Sequence, residues 1–512
     1  MAKSEQIYYY QPYFWGGISN LISDGLKKYR FWWGEDLDIF SNKNYIQPAI
    51  SFSKVNIEGF TKPTGFAVSS TGKLYVLGED STPKAVVYYK ATPSGATPSA
   101  WISLFTSENA PATQGYSPIT AFQTTEAGVI KEYLYYHTTE GTSYRLSRYG
   151  NINADSPTET KAFGTLTGLN STDRLGHLVH GGELFILNGN YIARVSSVGN
   201  FINTSFTLPK NLRGVDIIPM VLTTGGDYLA ILCKDTMDSN QSWIVIWDMV
   251  ATSGAIAKIR VPIGDPQWIT KIGSTYLVSG VTPQGKLEIY PVTGLICADT
   301  PLYVIDNVPV VSRPVSPPNS KTTIGSIFHF GLERTTKSGI YSIGEIIEEL
   351  PALVMSHRFH STSYAKHRPI ALISIKDALY TAYYDDNDQS YNLAISNGSA
   401  PTYSSSAVLE TILLGGNNIY TDKSWELLQI GLNSLPTSCS IAIKGRIEQS
   451  DTYQDINATA SSVSITGTKI QDIAIEGLSG RTLQLQFTFT SSGATCPQLK
   501  WIAIKGSVNY LN

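Results

Sequence analysis

A chain of 512 residues is long enough for two or three domains and a large buried core. Only 15% of its residues are charged, against about 25% in an average soluble chain, and the formal net charge is −3. That balance argues against nucleic acid as a partner, because phosphate neutralisation needs a basic surface. No apolar run is long enough for a membrane-spanning helix. The composition, with 43 Gly, 25 Pro and 30 Tyr, suits strands and tight turns. The opening stretch MAKSEQIYYYQPYFWGG has no apolar signal-peptide core, so synthesis and folding are expected in the cytosol.

Residues 1–48 read as an aromatic-rich arm. Tyr8, Tyr9, Tyr10, Tyr13, Phe14 and Trp15 crowd its start, and Phe31, Trp32 and Trp33 follow in YRFWWGEDLDIF. Between them SNLISDGLKK reads as a short helix. So many aromatics without a regular period need a surface to cover them. That surface is either the rest of this chain or a neighbouring subunit, where Tyr and Trp are favoured anchors. The residues assigned to a subunit contact are Tyr8, Tyr9, Tyr10, Tyr13, Phe14, Trp15, Trp32 and Trp33.

Residues 49–400 repeat one pattern: a turn, an apolar run, a turn, an apolar run. The clearest copy is RLGHLVHGGELFILNGNYIARVSSV, Arg174 to Val198. Its runs are too short for a stable helix, and the Gly and Asn residues between them tolerate positive φ, as tight hairpins require. The same pattern recurs around Leu74, Leu134, Leu229, Leu277, Phe328 and Leu379, at intervals of roughly 45–60 residues, close to the period of propeller blades. The expectation is a β-propeller of about seven diverged blades, with stacked β-sandwiches as the alternative. No regular Gly-His…Trp-Asp pattern and no Asp-box series marks the blades. The Pro-rich stretches ATPSGATPSA and VVSRPVSPPNSKT read as loops on the disc faces, and GEIIEELP as a short helix.

Residues 401–512 change character. In RTLQLQFTF the residues Leu483, Leu485, Phe487 and Phe489 face one way and Gln484, Gln486 and Thr488 the other. Short spacing and polar turns predict an antiparallel β-sandwich, with Trp425 and Trp501 in its core. Cys439 and Cys496 share this domain, and the sequence leaves open whether they pair. None of the four cysteines forms a Cys-x-x-Cys motif.

An arm carrying WGGIS and GEDLDIF, a diverged propeller, and a sandwich with VLETILLGG, KSWELLQIGLNSLP and CPQLKWIAIKG together resemble phage virion proteins of the minor structural or tail class. In these a propeller is joined to a sandwich whose last strand runs Pro-x-Leu-x-x-Ile-x-Ile. The resemblance implies a virion component of the tail or a tail-attached fibre, built in the host cytoplasm. It implies partnership with copies of itself and other virion proteins, and it carries over no catalytic residue.

The remaining chemistry is sparse. His357, His360 and His367 lie close together with no carboxylate in their stretch, and read as a loop or strand surface rather than a metal site. His177 and His180 are three apart and point to opposite faces of a strand. Asp385, Asp386, Asn387 and Asp388 form an oxygen-rich hairpin tip without the order of an EF-hand, read as a solvated turn. A propeller glycosidase would need two carboxylates near the axis. Glu35, Asp36, Asp38, Asp227 and Asp265 are candidates, and no spacing singles out a pair. No nucleophile elbow, phosphate loop or HExxH helix is present. The expectation is therefore a non-enzymatic structural component with no cofactor, no metal and no catalytic residue. The alternatives are an adhesin for host surface glycan and a propeller glycoside hydrolase.

Overall fold

The computed structural model describes every residue except 1–4, 13, 15, 16, 19–29, 96, 113–115, 155, 156, 223, 224, 348, 349, 360–366, 416–420, 449, 450 and 509–512. The described elements are all strands. Each repeat predicted above becomes one antiparallel sheet. Blade 1 is Lys62–Val68, Leu74–Glu79, Ala85–Lys90 and Ile102–Thr106. Blade 2 is Ile119–Glu126, Val129–Glu140, Ser143–Gly150 and Thr158–Thr165, and blade 3 is His177–His180, Glu183–Asn188, Tyr191–Val195 and Phe201–Thr207. Blade 4 runs through Leu212–Val221, Asp227–Asp235, Ser242–Trp247 and Ala257–Val261. Blade 5 runs through Asp265–Ile272, Thr275–Val281, Leu287–Thr293 and Tyr303–Ile305, and blade 6 through Lys321–Ile324, Ile327–Leu332, Gly339–Ile347 and Leu350–Arg358. Blade 7 takes His367–Ile375, Ala378–Asp385 and Ser390–Asn397, and its outer strand, Ser53–Val55, comes from before blade 1. The chain is an all-β propeller of seven blades followed by a β-sandwich.

The blades close into a ring. The first strand of blade 1 touches the first strands of both blade 2 and blade 7, and the sequence continues neighbour to neighbour around the axis. Both faces of most blades are covered. In blade 3 the consecutive residues Leu184, Phe185, Ile186 and Leu187 are all fully buried. A half-covered sheet would show alternation here; a stacked blade does not. Each such side chain contributes about 1.5–3 kcal/mol, so the wheel is held by what lies between blades.

The sandwich borrows strands from the arm. One sheet has the order Glu5–Gln11, Leu499–Val508, Lys423–Leu432, Ile470–Ala474. The other contains Arg30–Glu35, Ala407–Thr411, Leu483–Thr490 and Ser440–Ile447. Leu483, Leu485, Phe487 and Phe489 are fully buried between the two sheets, with Trp425 beside them. Arg30–Glu35 pairs antiparallel with Ala407–Thr411 on one side and meets Leu350–Arg358 of blade 6 on the other. Propeller and sandwich thus share one continuous sheet. They also share a core, in which Phe14, Phe31, Leu37, Ala352 and Val354 pack with the sandwich residues.

The arm is therefore stitched into its own chain. Phe14, expected at a subunit contact, is buried in this shared core. Trp33 packs against the shared core and that of blades 5 and 6, with Arg334 and Lys337 over its ring at 5.0 and 4.7 Å. Trp32 is half-buried and Tyr9 partly covered. Tyr8 and Tyr10 are 69% and 55% exposed on the edge strand Glu5–Gln11. Tyr13, Trp15 and the expected helix SNLISDGLKK lie outside the described residues.

The other expected helix, GEIIEELP, is corrected. Its described part belongs to two paired strands of blade 6, Gly339–Ile347 and Leu350–Arg358. Cross-strand pairing overrides the helical preference of its Glu residues. Trp501 is half-buried rather than in the sandwich core, edge-on to Tyr10 at 5.8 Å. Cys439 and Cys496 are buried, unbridged thiols.

The joint between the units is crowded and charged. A Cβ on Gly34 would sit 2.7 Å from Phe31 Cε2 and 3.1 Å from both Leu37 Cδ1 and Val354 Cγ2. Beside it, Glu35 takes Lys337 at 3.1 Å and Arg358 at 3.5 Å. Asp36 accepts from Arg358 N at 2.6 Å and Ser404 Oγ at 2.9 Å, and pairs with the Arg358 guanidinium. Gly34→Ala is expected to destabilise the chain by about 1–3 kcal/mol through overpacking. Calorimetry should show sandwich and propeller melting in one transition in both proteins; two transitions would contradict the shared sheet.

Candidate functional site

The first strands of the blades begin at one face of the disc, and their leading residues surround a recess of about 700 Å³. Polar side chains from successive blades converge there. Blade 2 contributes Tyr116, the approach to blade 3 contributes Asp173 and Arg174, and blade 4 contributes Arg213 and Lys234. Blade 5 supplies Asp265 and the approach to blade 6 supplies Arg313. The size falls within the range of ligand pockets.

One loop builds much of this mouth. The stretch VVSRPVSPPNSKT was expected to be a variable surface loop, but Val315 and Ser316 are fully buried. Gln267 Oε1 accepts both of their backbone N–H groups at 3.1 Å. Ser316 Oγ donates to Gly331 O at 2.6 Å and accepts from Trp268 Nε1 at 3.1 Å. Farther on, Asn319 Nδ2 reaches Tyr116 O at 2.5 Å and Asn319 O accepts from Leu372 N at 2.9 Å. The loop therefore crosses the hub and fixes Arg313 at its mouth. Buried polar backbone needs such partners, which is why the loop is ordered.

The charges at the mouth are paired. Arg213 forks onto Asp173 and donates to Gly168 O at 2.6 Å. Asp265 Oδ1 lies 3.3 Å from Arg174 Nη2 and 3.2 Å from Lys234 Nζ, while Asp265 Oδ2 accepts from Gln267 Nε2 at 2.7 Å. Arg313 Nη2 lies 2.6 Å from Glu333 Oε1, and Arg368 Nη2 lies 2.5 Å from Asp386 Oδ1. Deeper in the channel Lys321 pairs with Asp216 and donates to Ile269 O at 3.1 Å. Burial pushes the Glu333 carboxyl up to about 7, against the opposing effect of Arg313 and Arg368. Burial also holds the Arg174 guanidinium below its ordinary pKa, with Asp265 acting in the other direction.

Of the five acids singled out for a hydrolase, only Asp265 reaches the hub. Glu35 and Asp36 belong to the joint with the sandwich. Asp38 accepts from the backbone of Phe40 and Ser41, and Asp227 pairs with His180 at 2.7 Å. Sequence reasoning missed Tyr116, Arg174, Arg213, Arg313 and Glu333. Tyr116 and Arg174 stand just before a blade's first strand, Arg213 at the start of one, Glu333 just after a second strand, and Arg313 in the loop that leads to blade 6.

The histidine and aspartate readings change. His367 and Asp385 are both buried and lie 3.3 Å apart, so the hairpin beginning YYDD is not simply solvated. His357 joins a buried chain through Ser356 and Ser342 to His329, with contacts of 2.9, 2.6 and 2.6 Å. His360 lies outside the described residues. His177 meets His137 of blade 2, Nε2 to Nε2, at 2.7 Å and Thr120 Oγ1 at 2.9 Å. Among the described residues no group of three or more His, Cys, Asp or Glu is placed to hold a metal ion.

No protein-family model matches the chain, and no curated protein matches it. Similar solved structures include Raptor from Chaetomium thermophilum, with TM-score 0.41 and 10% identity over 68% of this chain. This chain spans only 29% of that one. The Dos1 propeller gives 0.39 and 9% over 69% of this chain and 95% of that one. Trypanosoma rangeli sialidase gives 0.33 and 9% over 91% and 93%. The likeness is one of fold and extends no further.

The buried imidazoles have a measurable consequence. Burial lowers His137 and His329 from 6.5 to about 3, and lowers His177 well below 6.5. The unfolded chain binds these protons near 6.5 and the folded chain does not. Their contribution to stability is complete above that pH and is lost as the pH falls toward about 3. Each adds a slope approaching about 1.4 kcal/mol per pH unit. Denaturant unfolding at pH 7.5 and pH 5 should show the loss, and His329→Asn should reduce the slope; a slope unchanged by that variant would refute the assignment.

Proposed function

We propose that the chain is a structural and binding component of a phage tail or tail-attached fibre, whose propeller is a rigid platform and whose hub mouth takes host surface glycan. The virion setting draws on the sequence resemblance. The binding reading draws on the state of the hub acids. Asp173, Asp265, Glu333 and Asp386 each lie within ion-pair distance of an Arg or Lys. Glycoside hydrolysis needs one carboxylic acid and one carboxylate set across a glycosidic bond. Here the carboxylates orient cations instead, and cations, hydroxyls and a tyrosine are recognition chemistry.

Assembly with copies of the chain fits the edge strand Glu5–Gln11, which carries Tyr8 and Tyr10 in solvent. An exposed edge with unpaired backbone groups is a ready template for another chain. Tyr9, Phe14 and Trp33 serve inside the subunit, so among the described aromatics of the arm Tyr8 and Tyr10 are the most exposed candidates for the assembly contact.

The purified chain should bind glycans on an array and release no reducing sugar from them. Binding to no glycan, or sugar release lost in Glu333→Gln, would overturn the binding reading. Sedimentation velocity should show concentration-dependent association that weakens at least fivefold in the Tyr8→Ser, Tyr10→Ser double variant. A monomer at every concentration would overturn the assembly reading.

A further inference from the structure

We propose that the hub mouth selects saccharides carrying an anionic group, a carboxylate or a sulfate, and holds that group between Lys234 and Arg174. The inference rests on the reading of the hub as a glycan site and adds the ligand's charge.

The argument starts from an imbalance. Asp265 is a single carboxylate shared by two cations, at 3.3 Å from Arg174 and 3.2 Å from Lys234, and Gln267 donates to it as well. One positive charge in this group is left without a partner of its own. Arg174 cannot take it out to water, because its side chain is only 12% exposed. A poorly hydrated guanidinium gains from a bound anion more than an exposed one does. Burial depresses its pKa, with Asp265 acting the other way, as expected of a charge short of water. Arg213 and Arg313 line the same recess from blade 4 and from the crossing loop, each already paired with a carboxylate of its own, so the unshared charge lies with Arg174 and Lys234.

The rest of the lining suits a sugar. Ser171 and Ser312 offer hydroxyls that both donate and accept, while Thr172 and Thr236, whose hydroxyls donate to Asn170 Oδ1 and Asn211 O, offer acceptors. Pro314 and Tyr116 offer apolar surface to a ring's C–H face. Lys234 is about half exposed, so an incoming anion meets it at the rim before reaching Arg174.

Glu333 gives the site a pH dependence. It faces Arg313, Arg368, Asp386 and Tyr116, and burial raises its carboxyl to about 7. Falling pH through that value removes a negative charge beside Arg313. An anionic ligand should then bind more tightly at pH 6 than at pH 8, and Glu333→Gln should flatten that difference.

The test uses the full chain and ligand-observed NMR titration with three probes: methyl glucuronide, the 6-sulfate of methyl glucoside, and methyl glucoside itself. At least one anionic probe should bind tenfold or more tightly than the neutral one, and the stronger of the two identifies the group. Lys234→Ala should weaken the anionic probe at least fivefold more than it weakens the neutral one. Asp265→Asn should act in the opposite direction and tighten the anionic probe, which a misfolded variant would not do. Equal binding of all three probes, unaffected by Lys234→Ala, overturns the charge selection and leaves the glycan reading standing. Binding of inorganic sulfate with no saccharide bound overturns both.

Discussion

A wheel of sheets has no edge only if its last sheet is joined to its first. Here that is done by Ser53–Val55, which pairs with Ser390–Asn397 and becomes the outer strand of blade 7. Until it does, blade 7 presents an open ladder, and the apolar surface between blades 7 and 1 lacks its final cover. The arm makes a second closure of the same kind, since Arg30–Glu35 joins the sandwich to blade 6. The segment between these strands then turns through Glu35 and Asp36, whose buried carboxylates are held by Lys337 and Arg358. Burying charges is expensive unless each finds a partner. The joint meets that condition with cations from blade 6.

The seven-fold pattern was legible because a blade's second strand is its most buried. Leu74, Leu134, Leu229, Leu277, Phe328 and Leu379, the residues that marked the repeats, all lie on second strands, and all are buried. In a sheet covered on both faces such a strand reads as a continuous apolar run, which is easy to see without any letter motif. Outside blades 3 and 6 the outer strands are shorter than the second strands, and Ser53–Val55 carries no sign in its residues that it belongs beside Ser390–Asn397. Pairing over that separation is a property of the ring.

The hub was illegible for a related reason. Arg174, Arg213 and Arg313 stand far apart in the chain and in unremarkable local settings. Only the closure of the wheel brings the start of each first strand to one circle. Even the acidic residues chosen by inspection were mostly elsewhere, with Asp265 alone at the mouth. The Pro-rich stretch before blade 6 was misread for the opposite reason. Its Pro and Ser residues do form a loop, but Gln267, Trp268 and Gly331 satisfy its polar groups, so it can be buried across the axis.

The pairing of Glu5–Gln11 with Leu499–Val508 ties the beginning of the chain to its far end. A ribosome delivers these two strands far apart in time. Glu5–Gln11 and Ser53–Val55 both precede their partners, Leu499–Val508 and Ser390–Asn397, by several hundred residues. Native contacts so distant in sequence slow the search for the final state, and an unpaired strand in the meantime invites pairing with other nascent chains. The unpaired ladders of Glu5–Gln11 and Ser53–Val55 are therefore open to such pairing until their distant partners have been made.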